Sequence, residues 1–115
     1  MANTLKPRWR VLRGETIALG PGKVDLLEGI GESGTLAEAA RHLGLSYTRA
    51  WNLVRTMNAC FKAPLVEMER GGSRRGHAAL TETGRAVLAL YRRIESESAR
   101  AADPAWEEIC RHLAD

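Results

Sequence analysis

Apolar residues recur along this chain at helical spacing in some segments and alternate with polar residues in others. The segments with helical spacing are residues 21–30, 36–43, 47–61, 82–99 and 104–113. The alternating segments are residues 9–19, 66–70 and 78–80, and glycines flank each of them. The pattern predicts a mainly α-helical fold with a small β-hairpin wing, a long C-terminal helix and a second hairpin at the N-terminus.

The second and third predicted helices are joined by a very short turn. Thr35 and Glu38 form a capping box, in which the hydroxyl and the carboxylate are each expected to bond a backbone N–H at the helix start. Gly44 suits the left-handed conformation that ends a helix, and Ser46 is a good N-cap for the next one. Two helices joined so closely cross at a sharp angle, which is the helix-turn-helix arrangement of DNA-binding proteins.

The third helix, residues 47–61, is predicted to read DNA. Its apolar residues fall on one side, and the opposite side carries no carboxylate. Arginine can bond guanine with both arms and asparagine can do the same with adenine, while hydroxyls and a helix N-terminus suit phosphates. The predicted DNA-contacting residues are Ser46, Tyr47, Thr48, Arg49, Asn52 and Arg55.

A basic, glycine-rich loop at residues 71–77 lies between two short predicted strands and is interpreted as the wing. Its Ser73, Arg74 and Arg75 are expected to reach a phosphate backbone or a minor groove. Residues 41–77 contain seven Lys or Arg and two Asp or Glu, whereas residues 78–115 contain five and seven. A basic centre and an acidic end favour a polyanionic partner for the middle of the chain.

The C-terminal region offers more apolar surface than one small core needs. Asp103-Pro104 is expected to end the long helix and start a shorter one with a strongly amphipathic stripe. Such a stripe is typical of an interface, and a two-fold axis would bury it on both copies of a homodimer. The predicted dimerisation residues are Leu90, Ile94, Trp106, Ile109 and Leu113.

The predicted domain organisation has three parts. Residues 1–7 are a loose terminus, residues 8–95 form the winged helix-turn-helix domain, and residues 96–115 form a helical extension that dimerises.

The longest apolar run, residues 86–91, is far shorter than the roughly 20 residues that span a bilayer. The absence of a signal peptide favours the cytoplasm, without contact to a membrane.

Nothing in the sequence favours an enzyme, a metal site or a cofactor. No nucleophile and base are grouped as catalysis requires, and the three histidines are scattered. Cys60 and Cys110 lack metal-ligand spacing and are expected to be buried thiols. The glycines of residues 29–34 match G-x-G-x-x-G, but they follow a helix and not a strand, which argues against a dinucleotide site.

Two stretches resemble the DNA-binding domain of the molybdate-responsive, ModE-type regulators. One is Leu-Gly-Pro-Gly-Lys at residues 19–23 with the leucines that follow, and the other is residues 34–51. With the Gly-Gly of the wing and Leu-Thr-x-x-Gly at residues 80–84, which LysR-type regulators share, the resemblance covers roughly residues 8–95. It implies a homodimeric regulator of transcription that binds a palindromic site in double-stranded DNA.

Full-length members of the resembled family also carry an oxyanion-binding β-module. Residues 96–115 have a helical pattern instead, so a regulator without that module is expected, and direct molybdate binding is not. Two alternatives stay open: a winged-helix protein-interaction module that pairs through residues 82–113, and a thiol-based sensor built on Cys60 and Cys110.

Overall fold

The computed structural model describes residues 2–69 and 76–115, and the order of its elements confirms the predicted fold class. Two antiparallel hairpins accompany four helices, and the last helix is by far the longest. The elements are β1 Val11–Arg13, β2 Thr16–Leu19, α1 Pro21–Ser33, α2 Leu36–His42, α3 Tyr47–Cys60, β3 Val66–Met68, β4 Ala78–Leu80 and α4 Glu82–Cys110.

The core lies where α1, α2 and α3 meet, under the base of the second hairpin. Close approach of α1 and α2 depends on Gly29, since a Cβ there would lie 3.3 Å from the Cβ of Ala39. Leu43, the last residue of the segment predicted as helical at 36–43, is 38% exposed and follows α2, which ends at His42. The largest fully buried side chains are Leu26, Leu27, Ile30, Leu36, Met57, Leu65 and Val24.

Hydroxyl side chains begin three of the four helices. Thr35 Oγ1 accepts from the backbone N–H of Glu38 at 3.2 Å, and Ser46 Oγ accepts from that of Arg49 at 3.1 Å. The predicted capping box is only half correct, because the Glu38 carboxylate bonds Arg41 and not the N–H of Thr35. That ion pair and His42 nearby lower the pKa of Glu38. The caps still fix where α2 and α3 start.

The two hairpins differ in how many of their own side chains are buried. In the N-terminal hairpin β1 is exposed throughout, and only Ala18 and Leu19 of β2 are buried, so the expected half-buried strands are found in β2 alone. The second hairpin pairs Val66 with Leu80 and is tied to the start of α2. There the N–H of Ala78 donates to the Gly34 carbonyl at 2.9 Å. The base of the predicted wing is therefore part of the core.

Helix α4 continues through Pro104, so the predicted restart at Asp103-Pro104 is wrong. A proline inside a helix removes one N–H and crowds the carbonyl four residues earlier. That carbonyl belongs to Arg100, which is exposed, so water can satisfy it, and alanines on both sides favour the helix. The 29 residues of α4 extend the molecule to 59 Å along its longest axis.

The start of α4 is docked tightly on the chain that precedes β3. Thr81 Oγ1 donates to the Pro64 carbonyl at 2.7 Å, and the Thr81 N–H donates to the Leu65 carbonyl at 2.9 Å. A Cβ on Gly84 would lie 2.1 Å from the same Leu65 oxygen. Only glycine allows this approach.

We expect Gly84→Ala to lower the free energy of unfolding by about 1–3 kcal/mol, because the added methyl group forces backbone apart. Gly22→Ala is the matched control: it also lies in a helix, and its Cβ would meet nothing within 4 Å. Chemical denaturation of both variants checks the prediction. Equal stability of the two variants would contradict it.

Candidate nucleic-acid interface

The predicted recognition residues share the solvent side of α3 and its N-cap. Ala50, Val54 and Met57 face the core and are buried, so the helix is fixed about its own axis. The helix contains no carboxylate. Exposed at or along it are Ser46, Tyr47, Thr48, Arg49, Asn52 and Arg55.

Two local contacts arrange this surface. The guanidinium of Arg55 lies over the ring of Trp51, 4.9 Å from its centroid, which holds the cation along the helix. Thr56 Oγ1 donates to the Asn52 carbonyl at 3.0 Å. The side chains of Arg49 and Asn52 are thus left available for a partner, whereas Ser46 Oγ already caps the helix.

One flank of α3 is joined to the wing base by Asn58. Its Oδ1 accepts from the N–H groups of Leu65 and Val66 at 2.8 and 3.2 Å, and its Nδ2 donates to the Val66 carbonyl at 3.0 Å. No role was predicted for this residue. The available signal was a polar amide beside the core residue Met57, just before a chain reversal that contains Pro64.

The other flank of α3 faces the N-terminal arm, residues 2–10, and the hairpin of β1 and β2. Thr56 lies on this flank, about 200° around the helix from Asn58. Arg8, Arg10 and Arg49 line one groove of about 540 Å³ here, together with Lys23. A second groove of about 480 Å³ is lined by Arg13, Thr16, Asn52, Arg55 and Thr56. The arginines of the arm and hairpin were not among the predicted site residues, although four basic residues precede Gly14.

Two arginines of α4 are neutralised by carboxylates. Arg92 of α4 bonds Glu95 at 2.9 Å, and it also reaches Glu28 and Asp25 of α1 at 3.0 and 3.2 Å. The hydrogen bond to Glu95 is the main cause that raises the pKa of Arg92. Arg93 similarly pairs with Glu97 at 2.8 Å.

The bases around α3 are different. Within residues 2–69 and 76–115, no ion pair to a carboxylate is made by Arg8, Arg10, Arg13 or Arg49. Unpaired cations on both the helix and the hairpin create a positive potential along one side of the molecule. This arrangement attracts a polyanion.

The predicted wing residues Ser73, Arg74 and Arg75 lie outside the described residues. The described base of the wing is closed by the N–H of Glu69, which donates to the His77 carbonyl at 2.9 Å. Gly76 has a φ of +83°, in the left-handed region that favours glycine. The base of the wing therefore lies beside the start of α2.

The predicted dimerisation residues do not all share one surface. Leu90, Ile94 and Ile109 are between 46% and 55% exposed on α4, while Leu113 follows the end of that helix. Trp106 is half-buried and lines a pocket of about 300 Å³ with Leu5, Pro7 and Trp9 of the N-terminal arm.

Neither thiol is fully buried, so that expectation is wrong: Cys60 and Cys110 are half-buried and free. Across the described part of the chain, no three His, Cys, Asp or Glu side chains are grouped so that they could hold a metal ion. In the same residues, no helix combines the length and apolar character needed to cross a membrane.

The sequence profile of the family described as "Bacterial regulatory helix-turn-helix protein, lysR family" matches residues 23–85, which run from the first turn of α1 through β4 to the start of α4. This chain belongs to that family. The matched residues of this lysR-family chain include the Leu-Thr-x-x-Gly segment, whose glycine is Gly84, packed on Leu65.

Relatives of this lysR-family chain include molybdenum proteins, which confirms the resemblance found in the sequence. It is 43% identical over 83 residues to the molybdenum-pterin-binding protein MopA of Rhodobacter capsulatus, covering 72% of this chain and 31% of that protein. It is 38% identical over 92 residues to the molybdenum transport protein ModE of Azotobacter vinelandii, covering 80% of this chain and 34% of that protein. The DNA-binding transcriptional dual regulator ModE of Escherichia coli K12 is 34% identical over 83 residues, which are 72% of this chain and 32% of that protein. The chain thus spans about a third of the length of these relatives.

Among solved structures, this lysR-family chain is similar to one described as a CbnR_DBD-DNA complex. The TM-score is 0.61 at 23% identity, with 76% of this chain and 95% of that chain covered. The LysR family transcriptional regulator CbnR itself gives a TM-score of 0.55 at 24% identity, with 73% of this chain and 27% of that chain covered. At these identities the likeness establishes the fold.

Asn58→Ala is expected to lower the free energy of unfolding by about 2–4 kcal/mol, because it leaves the N–H groups of Leu65 and Val66 without their partner. Asn52→Ala on the solvent side of the same helix should change it by no more than about 0.5 kcal/mol. Thermal and chemical denaturation of the two variants measure the difference. A stability for Asn58→Ala equal to that of Asn52→Ala would refute the structural role.

Proposed function

We propose that this chain is a sequence-specific regulator of transcription that binds double-stranded DNA through α3. The observation that carries the proposal is the exposed, carboxylate-free side of α3, with unpaired basic residues beside it. A helix fits the major groove of B-DNA, where each base pair shows a distinct pattern of donors and acceptors. Such a regulator works where bacterial DNA is, in the cytoplasm.

Base readout is assigned to Thr48, Arg49 and Asn52, which are exposed near the N-terminal end of α3. Arg49 suits the O6 and N7 of guanine and Asn52 suits adenine, because each can form two hydrogen bonds to one base edge. Ser46 and Tyr47 at the helix start are assigned to phosphate contacts. Arg74 and Arg75 of the wing are assigned to phosphate or minor-groove contacts.

The alternative functions do not involve DNA, and they are less well supported. A protein-interaction module has no need for unpaired bases along α3, and a thiol sensor is disfavoured because Cys60 and Cys110 lie on different helices without a bond between them. The family profile is that of a regulatory DNA-binding domain and not of an enzyme.

We propose in addition that two copies pair through α4. Exposed apolar residues form a stripe along this helix at Leu90, Ile94, Ala101, Ala105 and Ile109. Steps of four and seven residues keep these side chains on one side of the helix. A symmetric interface would bury the stripe twice and present two copies of α3 to half-sites about 34 Å apart.

Arg49→Ala and Asn52→Ala should each weaken binding to the preferred site by about 1–3 kcal/mol, because each removes two hydrogen bonds to one base. The preferred site is first selected from a pool of random duplexes, and affinities for it and for a scrambled duplex are measured by fluorescence anisotropy. Arg100→Ala on α4 is the control and should bind as the parent does. Parent-like discrimination by both α3 variants would exclude α3 as the reading element.

The parent protein should sediment at micromolar concentration with about twice the chain mass of 12.6 kDa. Ile94→Glu should shift it to a monomer, because a charge would be placed in the apolar interface. Ala89→Glu, exposed about 140° away on the same helix, should remain a dimer. A monomeric parent that binds DNA at full affinity would disprove the paired arrangement.

A further inference from the structure

The N-terminal arm is held against α4 although it forms no helix or strand. Tyr91 is buried, and its hydroxyl donates to the Trp9 carbonyl at 2.6 Å. The indole Nε1 of Trp9 donates to Ser98 Oγ at 3.0 Å. Burial raises the pKa of Tyr91, which further favours the protonated phenol that donates this bond. These two bonds fix the position of the arm at Trp9.

The residues on either side of Trp9 line the groove beside α3. In extended chain, neighbouring side chains point to opposite sides. With Trp9 bonded to α4, Arg8 and Arg10 line the same groove as Arg49. The stem of Arg10 also packs near Gly20, where a Cβ would lie 3.7 Å from its Cγ. The arm thus carries two guanidinium groups to the edge of the recognition surface.

The hairpin that follows brings a third arginine to the same surface. Arg13 ends β1, pairs with Thr16 of β2, and lines the groove that also contains Asn52 and Arg55. The ammonium group of Lys23 donates to the Ile17 carbonyl, which ties β2 to α1. The hairpin is therefore attached to the helical core and lies along α3.

The charges in these grooves are almost all of one sign. Asp25 is the one carboxylate among the residues that line them, and it bonds Arg92 of α4 at 3.2 Å. The arginines of the arm and the hairpin have no carboxylate partner within the described residues. Guanidinium groups without a carboxylate partner give these grooves a positive potential, which attracts an external polyanion.

We infer that the arm and hairpin, residues 8–13, are a second phosphate-binding element, which contacts the DNA backbone beside the recognition helix. The inference rests on the proposed DNA-binding function and adds a contact surface to it. Asn58 joins α3 to the wing base on one flank, and the arm and hairpin lie on the other flank. A helix in the major groove has a phosphate backbone on each side, so a basic element on each flank of α3 matches the duplex.

The test compares two variants that lower the net charge equally, Arg10→Gln/Arg13→Gln and Arg100→Gln/Arg111→Gln. The second pair is exposed on or just after α4, on the side away from the apolar stripe, and makes no ion pair among the described residues. Binding to a random-sequence duplex is measured from 50 to 200 mM salt. Each lost phosphate contact should reduce the slope of log K against log salt by about 0.9, so the arm and hairpin pair should reduce it by about 2.

The expected result is weaker binding with a reduced slope for Arg10→Gln/Arg13→Gln, and a parent-like slope for the control pair, with both variants melting as the parent does. A parent-like slope for the arm and hairpin pair, or an equal reduction in both pairs, would overturn the inference while leaving the proposed function intact. A parent without salt-dependent binding to DNA would overturn the proposed function, and the inference with it.

Discussion

Burial of one side of α3 is the constraint on which the DNA-binding surface depends. Ala50, Val54 and Met57 pack into the core, and this packing alone decides which residues face solvent. A rotation of α3 by one residue, about 100°, would expose Met57 and bury polar groups without partners, at a cost of several kcal/mol. Asn58 adds directional bonds on one flank, so both the rotation of α3 and its distance from the wing base are fixed.

Electrostatics then distinguish this surface from the rest of the molecule. The network of Arg92 with Asp25, Glu28 and Glu95 joins α1 to α4 and sets one guanidinium against three carboxylates, so this region is net negative. Along α3 and the adjacent arm and hairpin, the basic residues have no carboxylate partners among the described residues. The modest net charge of +3 is therefore concentrated where α3 is exposed. Such a surface speeds encounter with DNA as well as holding it.

Helix α4 serves two parts of the molecule at once. Its first turn is docked on Leu65 through Gly84, and Tyr91 holds the arm that carries Arg8 and Arg10. The exposed apolar stripe proposed for pairing runs along the same helix, next to these arm contacts. One rigid helix would therefore connect the dimer interface with an edge of the DNA-binding surface.

Local chemistry along the chain determined most of the helical fold and the residues of α3. The hydroxyl caps, Gly34 and the helical spacing of apolar residues act between near neighbours, so they leave a readable pattern. Tertiary structure decided the rest. The bonds from Trp9 to Tyr91 and Ser98 join residues more than 80 positions apart, and the spacing of apolar residues does not predict such contacts. Whether Pro104 ends a helix likewise depended on the solvent around its turn, which the order of residues does not specify.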